Sequence, residues 1–316
     1  MIRARVLAIF TALAGVAFYA AQGDSQVEKL RQIQPGVWFR EGDLLKYGHS
    51  NNIVIEMRDY LIVVDANFPS GARATLADIK KATAKPVRYV FDTHHHGDHA
   101  YGNAVWTRAG AITLAHRNVA EEMKRYEPKR WQEAQSRGDV KELNLATAEP
   151  PRQTFDTTFR LEDGARQVEF LHFGWAHTRG DGFVYLPKER ILCTGDAVVN
   201  GAWNYTGDAH IENWPEVVGA AEKLGVRTVL PGHGAPGGPE LLTGQAQFFR
   251  ELLGAVRKEM ERGKKLEDLV RMRDGQPEST IIELPAAVRN WTGKSLPAQV
   301  RDAYLELSKK QPRGAM

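Results

Sequence analysis

The chain has 316 residues, 42% of them hydrophobic and 26% charged, which is enough apolar material for a sizeable core and excludes a disordered or fibrous protein. Lys and Arg number 42 against 39 Asp and Glu, and the formal charge of +3 is spread without a basic run longer than two, so no nucleic-acid footprint is indicated. One cysteine, Cys193, cannot form an internal disulfide, and export to an oxidising compartment is tolerated but not required.

In chain order, Arg3 and Arg5 precede an uncharged stretch from Val6 to Ala21, followed by small and then polar residues. This pattern predicts a signal peptide over residues 1–23 and a periplasmic or secreted mature protein, with an uncleaved anchor as the alternative. After signal removal no stable membrane span is expected. Short strands are predicted at Gly36–Arg40, Asn52–Met57 and Tyr60–Asp65, the last two joined by a tight turn at Arg58-Asp59. A helix follows over Ala72–Ala84, ended before Pro86, and then the strand Val87–Phe91. Arg117–Arg137 reads as a charged surface helix. The strand pattern resumes at Phe155–Leu161, Gln167–His172, Gly182–Leu186 and Arg190–Thr194; Pro215–Leu224 is a helix and Arg227–Leu230 a strand. Apolar residues from Leu241 to Met260 keep helical spacing across Pro239–Arg262, capped by Gly263, and further helices are predicted at Leu266–Met272 and Leu296–Ser308. Two similar halves of strands and helices predict an α/β fold of two packed sheets with helices outside.

The strand Val87–Phe91 runs into His94-His95-His96-Gly97-Asp98-His99, four potential metal ligands within six residues. Alternation along an extended backbone sends His94 and His96 to one side and His95 to the other, so His95 is expected to shape the site rather than bind metal. Asp98 and His99 follow the turn at Gly97 and face a second point in space. Imidazole with carboxylate suits zinc, and also iron or manganese. A histidine-rich surface loop without function is disfavoured by this spacing. His49, His116 and His172 lie in no such pattern and are expected to be packed or surface residues. Cys193 reads as a small buried hydrophobe. Trp203, Asn204, Tyr205 and His210, with Asp208 nearby, lie in one loop and are candidates for contact with substrate. No Gly-x-Ser-x-Gly elbow is present, so no protein nucleophile is expected.

The His-x-His-x-Asp-His pattern resembles the hallmark of the metallo-β-lactamase superfamily. The resemblance extends to Asp65 at a strand end, to His177 in His-Thr-Arg-Gly-Asp, to Asp196 in Thr-Gly-Asp and to His233 in Pro-Gly-His-Gly, and covers roughly Gly36 to Gly234. It implies an αβ/βα four-layer sandwich, two mixed β-sheets flanked by helices, over residues 24–238, with a helical C-terminal region, 239–316, packed on the same domain. It also implies two Zn2+ per chain: His94, His96 and His177 at the first, Asp98, His99 and His233 at the second, and Asp196 bridging. Asp65 and Thr93 would support the ligands from behind. A bridging hydroxide would attack an ester-, thioester-, lactone- or amide-like bond of a small-molecule substrate, with Asp98 as the catalytic proton carrier. An aspartate at position 196 fits thioesterase-like and lactonase-like members better than a typical β-lactamase, where Cys, Ser or another residue stands. The alternatives are a β-lactamase-type amide hydrolase, a mononuclear iron oxygenase on the same fold, and a non-enzymatic zinc-binding protein. A nuclease is disfavoured by the near-neutral charge. The C-terminal region is expected to cover a sheet, to cap the pocket or to form a homodimer.

Overall fold

The computed structural model describes residues 26–309, so the signal segment predicted over 1–23 lies outside the described residues. Its elements in order are β1 (Leu30–Gln34), β2 (Val37–Arg40), β3 (Asn52–Glu56), β4 (Leu61–Val64), α1 (Pro69–Ala82), β5 (Val87–Asp92), α2 (Gly97–Ala100), α3 (Asn103–Arg108), β6 (Ile112–His116), α4 (Arg117–Ala134), α5 (Gly138–Lys141), β7 (Gln153–Phe155), β8 (Thr158–Glu162), β9 (Gln167–Leu171), β10 (Phe183–Leu186), β11 (Ile191–Gly195), α6 (Trp214–Glu222), β12 (Thr228–Pro231), α7 (Glu240–Glu261), α8 (Leu266–Leu269), β13 (Val270–Arg273), β14 (Gln276–Thr280), a 3-10 turn at Ala286–Trp291 and α9 (Leu296–Ser308). β1 to β7 form one sheet in sequence order; β12-β11-β10-β9-β8 form the second. In the first sheet β1 to β4 run antiparallel and β4 to β7 parallel, and in the second only β11 and β12 are parallel.

Side-chain alternation builds four layers. Ile53 and Ile55 of β3 and Ile62 and Val64 of β4 point into the core between the sheets, where they meet Phe170, Val184, Leu186, Ile191 and Cys193. Val54, Leu61 and Val63, one residue out of phase, face outward against Ala72 and Ile79 of α1 and Trp106 of α3. The second sheet repeats this: Phe183 and Leu192 face outward onto Trp214, Phe248, Phe249 and Val300 of α6, α7 and α9. Strands covered on both faces need no polar face, which is why Leu61–Val64 is an unbroken apolar run. Each such fully buried large side chain contributes roughly 1.5–3 kcal/mol. Cys193 is wholly buried in the inter-sheet core, and burial pushes its thiol up.

Two predicted elements differ. The stretch Phe155–Leu161 is not one strand: β7 ends the first sheet at Phe155 and β8 begins the second at Thr158, so the chain changes layers at Asp156-Thr157. The helix expected over Leu266–Met272 stops after one turn, and Val270 opens the β13–β14 hairpin. Asp274 and Gly275, at φ 49° and 76°, form its two-residue turn, the left-handed pair that matches strand twist. The C-terminal extension is thus helical with one added hairpin. Among the described residues no helix is long and apolar enough to cross a membrane.

Candidate metal centre

The histidines and aspartates of the predicted site sit at one end of the sandwich, in loops that follow strands and, for Asp98 and His99, in the short helix α2. β5 ends at Asp92; Thr93 to His96 bend away from it, and α2 turns Asp98 and His99 back. Gly97 permits the turn, because a Cβ there would lie 2.7 Å from the Tyr101 ring. His177 lies between β9 and β10 in a loop folded around the buried Asp181, which accepts the amides of Ala176 and Thr178 and the Thr178 hydroxyl. Burial outweighs these bonds and pushes that carboxyl up to about 7. Asp196 follows β11, and His233 follows β12 between Gly232 and Gly234. Gly232 is required: a Cβ there would overlap Asp196 Oδ1.

Two donor groups result. His94 Nε2 lies 3.1 Å from His96 Nδ1, which lies 2.9 Å from His177 Nε2. In the second group, His233 Nε2 is 3.1 Å from Asp98 Oδ2 and 3.4 Å from His99 Nε2. Asp196 stands between them, with Oδ2 3.3 Å from His233 Nε2 and 3.8 Å from His177 Nε2, and Oδ1 3.4 Å from His99 Nε2.

The outward bonds of these imidazoles show what their inward atoms are. Asp65 Oδ1 accepts the amide and the hydroxyl of Thr93, each at 2.8 Å. With its one proton so used, Thr93 Oγ1 accepts from His94 Nδ1 at 3.1 Å, leaving His94 Nε2 a bare lone pair. His99 Nδ1 donates to Asp65 Oδ2 at 2.9 Å, His177 Nδ1 to the Tyr205 carbonyl at 3.0 Å, and His96 Nε2 to Asp208 Oδ2 at 2.8 Å. Three lone pairs therefore point at one another in the first group. Neutral nitrogens that cannot donate do not converge at 3 Å favourably unless a cation lies between them. Asp196 Oδ1, buried with no hydrogen-bond partner, adds an unspent acceptor at the junction. The first group therefore fits a cation of borderline hardness, and Asp98, His99 and His233 offer donors of the same kind.

Charge on the metal-free residues follows burial and neighbours. Burial, with the adjacent imidazoles, holds His94 far below its usual range, and His177 falls to about 3 for the same reasons. Burial also opposes charge on His99 and His233, but the carboxylates around them outweigh it: His99 rises well above its usual value and His233 to about 9. Asp196 is buried and Asp98 partly so, yet the histidines facing them hold both well below the usual carboxylate range.

A cleft of 350 Å³ opens over the centre, lined by His96, Asp98, Asp196 and His233 and by Leu44, Arg130, Trp203 and Tyr205. Of the four residues expected to meet substrate, Trp203 and Tyr205 stand at this mouth. Asn204 does not: it is buried and bonded to Gln245 and Gln299. His210 does not either; it faces Glu306 of α9 at 3.5 Å. Asn204 turns inward because the loop alternates, while His210 stays half-exposed beside α9. His95 is buried, stacks on Tyr126 and meets Arg130 Nη1 at 3.1 Å. His49 bonds Glu28 and Ser70, while His116 and His172 stack on each other at 3.8 Å. Arg130 escaped the sequence reading. Its guanidinium pairs with Asp208 at 2.8 Å and sits over Tyr126, and 78 residues of separation leave no local signal for that pair.

Comparison with known proteins agrees with this geometry. The family model of the metallo-β-lactamase superfamily matches residues 45–233, and the chain belongs to that superfamily. Among curated proteins, the metallo-β-lactamase type 2 of Bacillus sp. (strain 170) is 27% identical over 201 residues, 61% of this chain and 70% of that protein. The metallo-β-lactamase type 2 of Bacillus cereus is 26% identical over 200 residues, with the same coverage. Among solved structures, a metallo-β-lactamase from Pontibacter korlensis superposes with a TM-score of 0.58 at 21% identity, covering 70% of this chain and 98% of that one. FIM-1 from Pseudomonas aeruginosa, solved in its mono-zinc form, gives 0.56 at 22% identity, covering 70% and 94%. These structures share the fold, the αβ/βα sandwich described above.

Proposed function

We propose that this metallohydrolase binds two zinc ions and cleaves an ester-, thioester-, lactone- or amide-like bond in a small molecule, in an exported compartment. The observation that carries the reading is the pair of inward-facing donor groups joined by Asp196 beneath an open cleft. His94, His96 and His177 would hold the first ion, Asp98, His99 and His233 the second, with Asp196 reaching both. Zinc, when bound, lowers the pKa of a water to about 7 and polarises a carbonyl oxygen. The chain supplies the rest. Asp98, on the cleft wall and 3.1 Å from His233 Nε2, is placed to accept the proton of the attacking water and return it to the leaving group. Asp65, Asp208 and the Tyr205 carbonyl keep the imidazole protons outward. Leu44, Trp203 and Tyr205 give the mouth an apolar rim that favours a substrate with an apolar body. Access from the cleft to Asp98, His96 and Asp196 supports catalysis over mere storage of zinc.

A second reading, cleavage of a β-lactam amide, is favoured by the names of the curated relatives; Asp196 in place of the residues typical of β-lactamases supports the broader class. Nitrogen and carboxylate donors alone do not select zinc over iron, so elemental analysis belongs in the test. The chain, expressed without residues 1–23 and loaded with zinc, should contain about two zinc ions. It should turn over at least one member of a panel of β-lactam, lactone, thioester, phosphodiester and alkyl sulfate, and His96→Ala should lose one ion and nearly all turnover. One iron per chain, or unchanged hydrolysis by His96→Ala, would overturn the reading. Separately, tagged full-length protein found in the cytosol of a fractionated cell would overturn export.

A further inference from the structure

The loop from Gly201 to Glu212 alternates sharply. Trp203 and Tyr205 are exposed, whereas Asn204, Thr206 and Asp208 are buried. The inward residues are tied to the C-terminal helices, which lie beyond the stretch matched by the family model. Gln299 Nε2 of α9 donates to the Asn204 carbonyl at 2.7 Å. Gln245 Nε2 of α7 donates to Asn204 Oδ1 at 2.5 Å. Thr206 Oγ1 donates to Asp302 Oδ2 of α9 at 2.6 Å. Glu306, one turn on, accepts the amides of Ile211 and Glu212 at 2.9 and 3.0 Å. Gln299, Asp302 and Glu306 are spaced three and four residues apart, so they share one face of the helix.

Between the two pinned residues, Asn204 and Thr206, lies Tyr205, whose carbonyl accepts the Nδ1 proton of His177. A carbonyl fixed on both sides holds that proton outward and leaves Nε2 aimed at His96 and Asp196. Three residues further, the same loop delivers Asp208 to His96 Nε2.

We propose that α9, through Asp302 and Gln299, is a positioning element for the first metal position: it fixes the Tyr205 carbonyl and thereby the ligand direction of His177. This rests on the metal reading above. The two helices thus do more than cover the second sheet. They set the affinity of one ion position and leave the other, held by Asp98, His99 and His233, untouched by this loop.

The test is stepwise metal binding by the metal-free full chain, followed with cobalt(II) absorption and with zinc in competition with a chromophoric chelator; His177→Ala identifies the step that belongs to the first position. Thr206→Val and Asp302→Ala remove one hydrogen bond from opposite ends. Each is expected to weaken the first-position step about 10-fold, the lower end for groups that orient a metal ligand, and to leave the other step within about 2-fold. The double variant should be no weaker than either single one, because both delete the same bond. Asp302→Asn, whose amide oxygen still accepts from Thr206, should restore binding, and Arg301→Ala, which removes the other partner of Asp302, should leave it unchanged. Unaltered binding in both single variants would overturn the proposal, as would equal weakening of both steps with a lowered Tm, the mark of general destabilisation. If the unsubstituted chain takes up no metal, the metal reading itself fails, and this proposal with it.

Discussion

Replacing Asp65 by asparagine should disable the second metal position without unfolding the protein. Asp65 is buried, sits at φ 67° and accepts three hydrogen bonds, two from Thr93 and one from His99 Nδ1. Asparagine tolerates the left-handed conformation, which alanine would occupy at a cost of roughly 1–2 kcal/mol. The Thr93 backbone N–H can only donate, so it holds the oxygen of the new carboxamide toward Thr93 and turns the NH2 toward His99. His99 must then accept at Nδ1 and carry its proton on Nε2, the atom that faces Asp98, Asp196 and His233. A protonated Nε2 cannot bind metal. Loss of a partner that orients a metal ligand weakens binding by about 10–100-fold, or about 1.4–2.7 kcal/mol. The metal-free fold should lose about 1–3 kcal/mol, because the bond between charged His99 and the Asp65 carboxylate gives way to a neutral one while both Thr93 contacts are kept. Calorimetric zinc titration of Asp65→Asn would show one normal and one weakened step, and thermal unfolding of the metal-free chain would show one cooperative transition with a Tm lowered by several degrees. Two steps of undiminished affinity would refute the tautomer assignment for His99.

The metal-free chain should be most stable near pH 6.5 and lose stability on both sides. His233 rises from 6.5 to about 9, so its contribution is complete below pH 6.5 and disappears as pH climbs to about 9; His99 acts in the same direction. His177, lowered to about 3, and His94 act oppositely, losing stability as pH falls below 6.5 because unfolding lets them protonate, and Asp98 and Asp196 add to the loss at still lower pH. Melting temperatures of chelator-stripped protein from pH 4 to 10 check this, and a flat profile contradicts it. Gly232→Ala should displace the Asp196 carboxylate, since the new methyl would overlap Oδ1 and stand 2.7 Å from the Gly195 carbonyl carbon. A misplacement of about 1 Å costs about 100-fold in kcat/KM; an unchanged value on the substrate identified from the panel would show that Asp196 does not need its present position.

Much of the site could be read because its densest part is local. Four donors in six residues, with alternation between His94, His95 and His96, announce a metal centre without long-range information. His177, Asp196 and His233 carry no such local density and were placed only by likeness to a family pattern. What escaped depends on contacts between distant residues. Arg130 meets Asp208 only because α4 brings it to the cleft wall, and Asn204 turns inward only because Gln245 and Gln299 wait for it. Apolar spacing located α7 well, since one stripe had to face the second sheet, and Gly263 at φ 79° ends it. It misjudged Leu266–Met272, where a single turn of helix gives way to a hairpin whose Asp-Gly signal at 274–275 carries more weight than the apolar residues before it.

The layer change at Asp156-Thr157 divides the chain into two consecutive halves, one per sheet. His94, His96, Asp98 and His99 belong to the first, and His177, Asp196 and His233 to the second. With the ligand sets proposed above, neither half would complete a coordination sphere alone, so an ion bound at either position would act as a rivet across the seam. Chelation would loosen the joint between the sheets before it disturbed either sheet alone, and two peptides severed at this crossover would reassemble more readily with metal than without it.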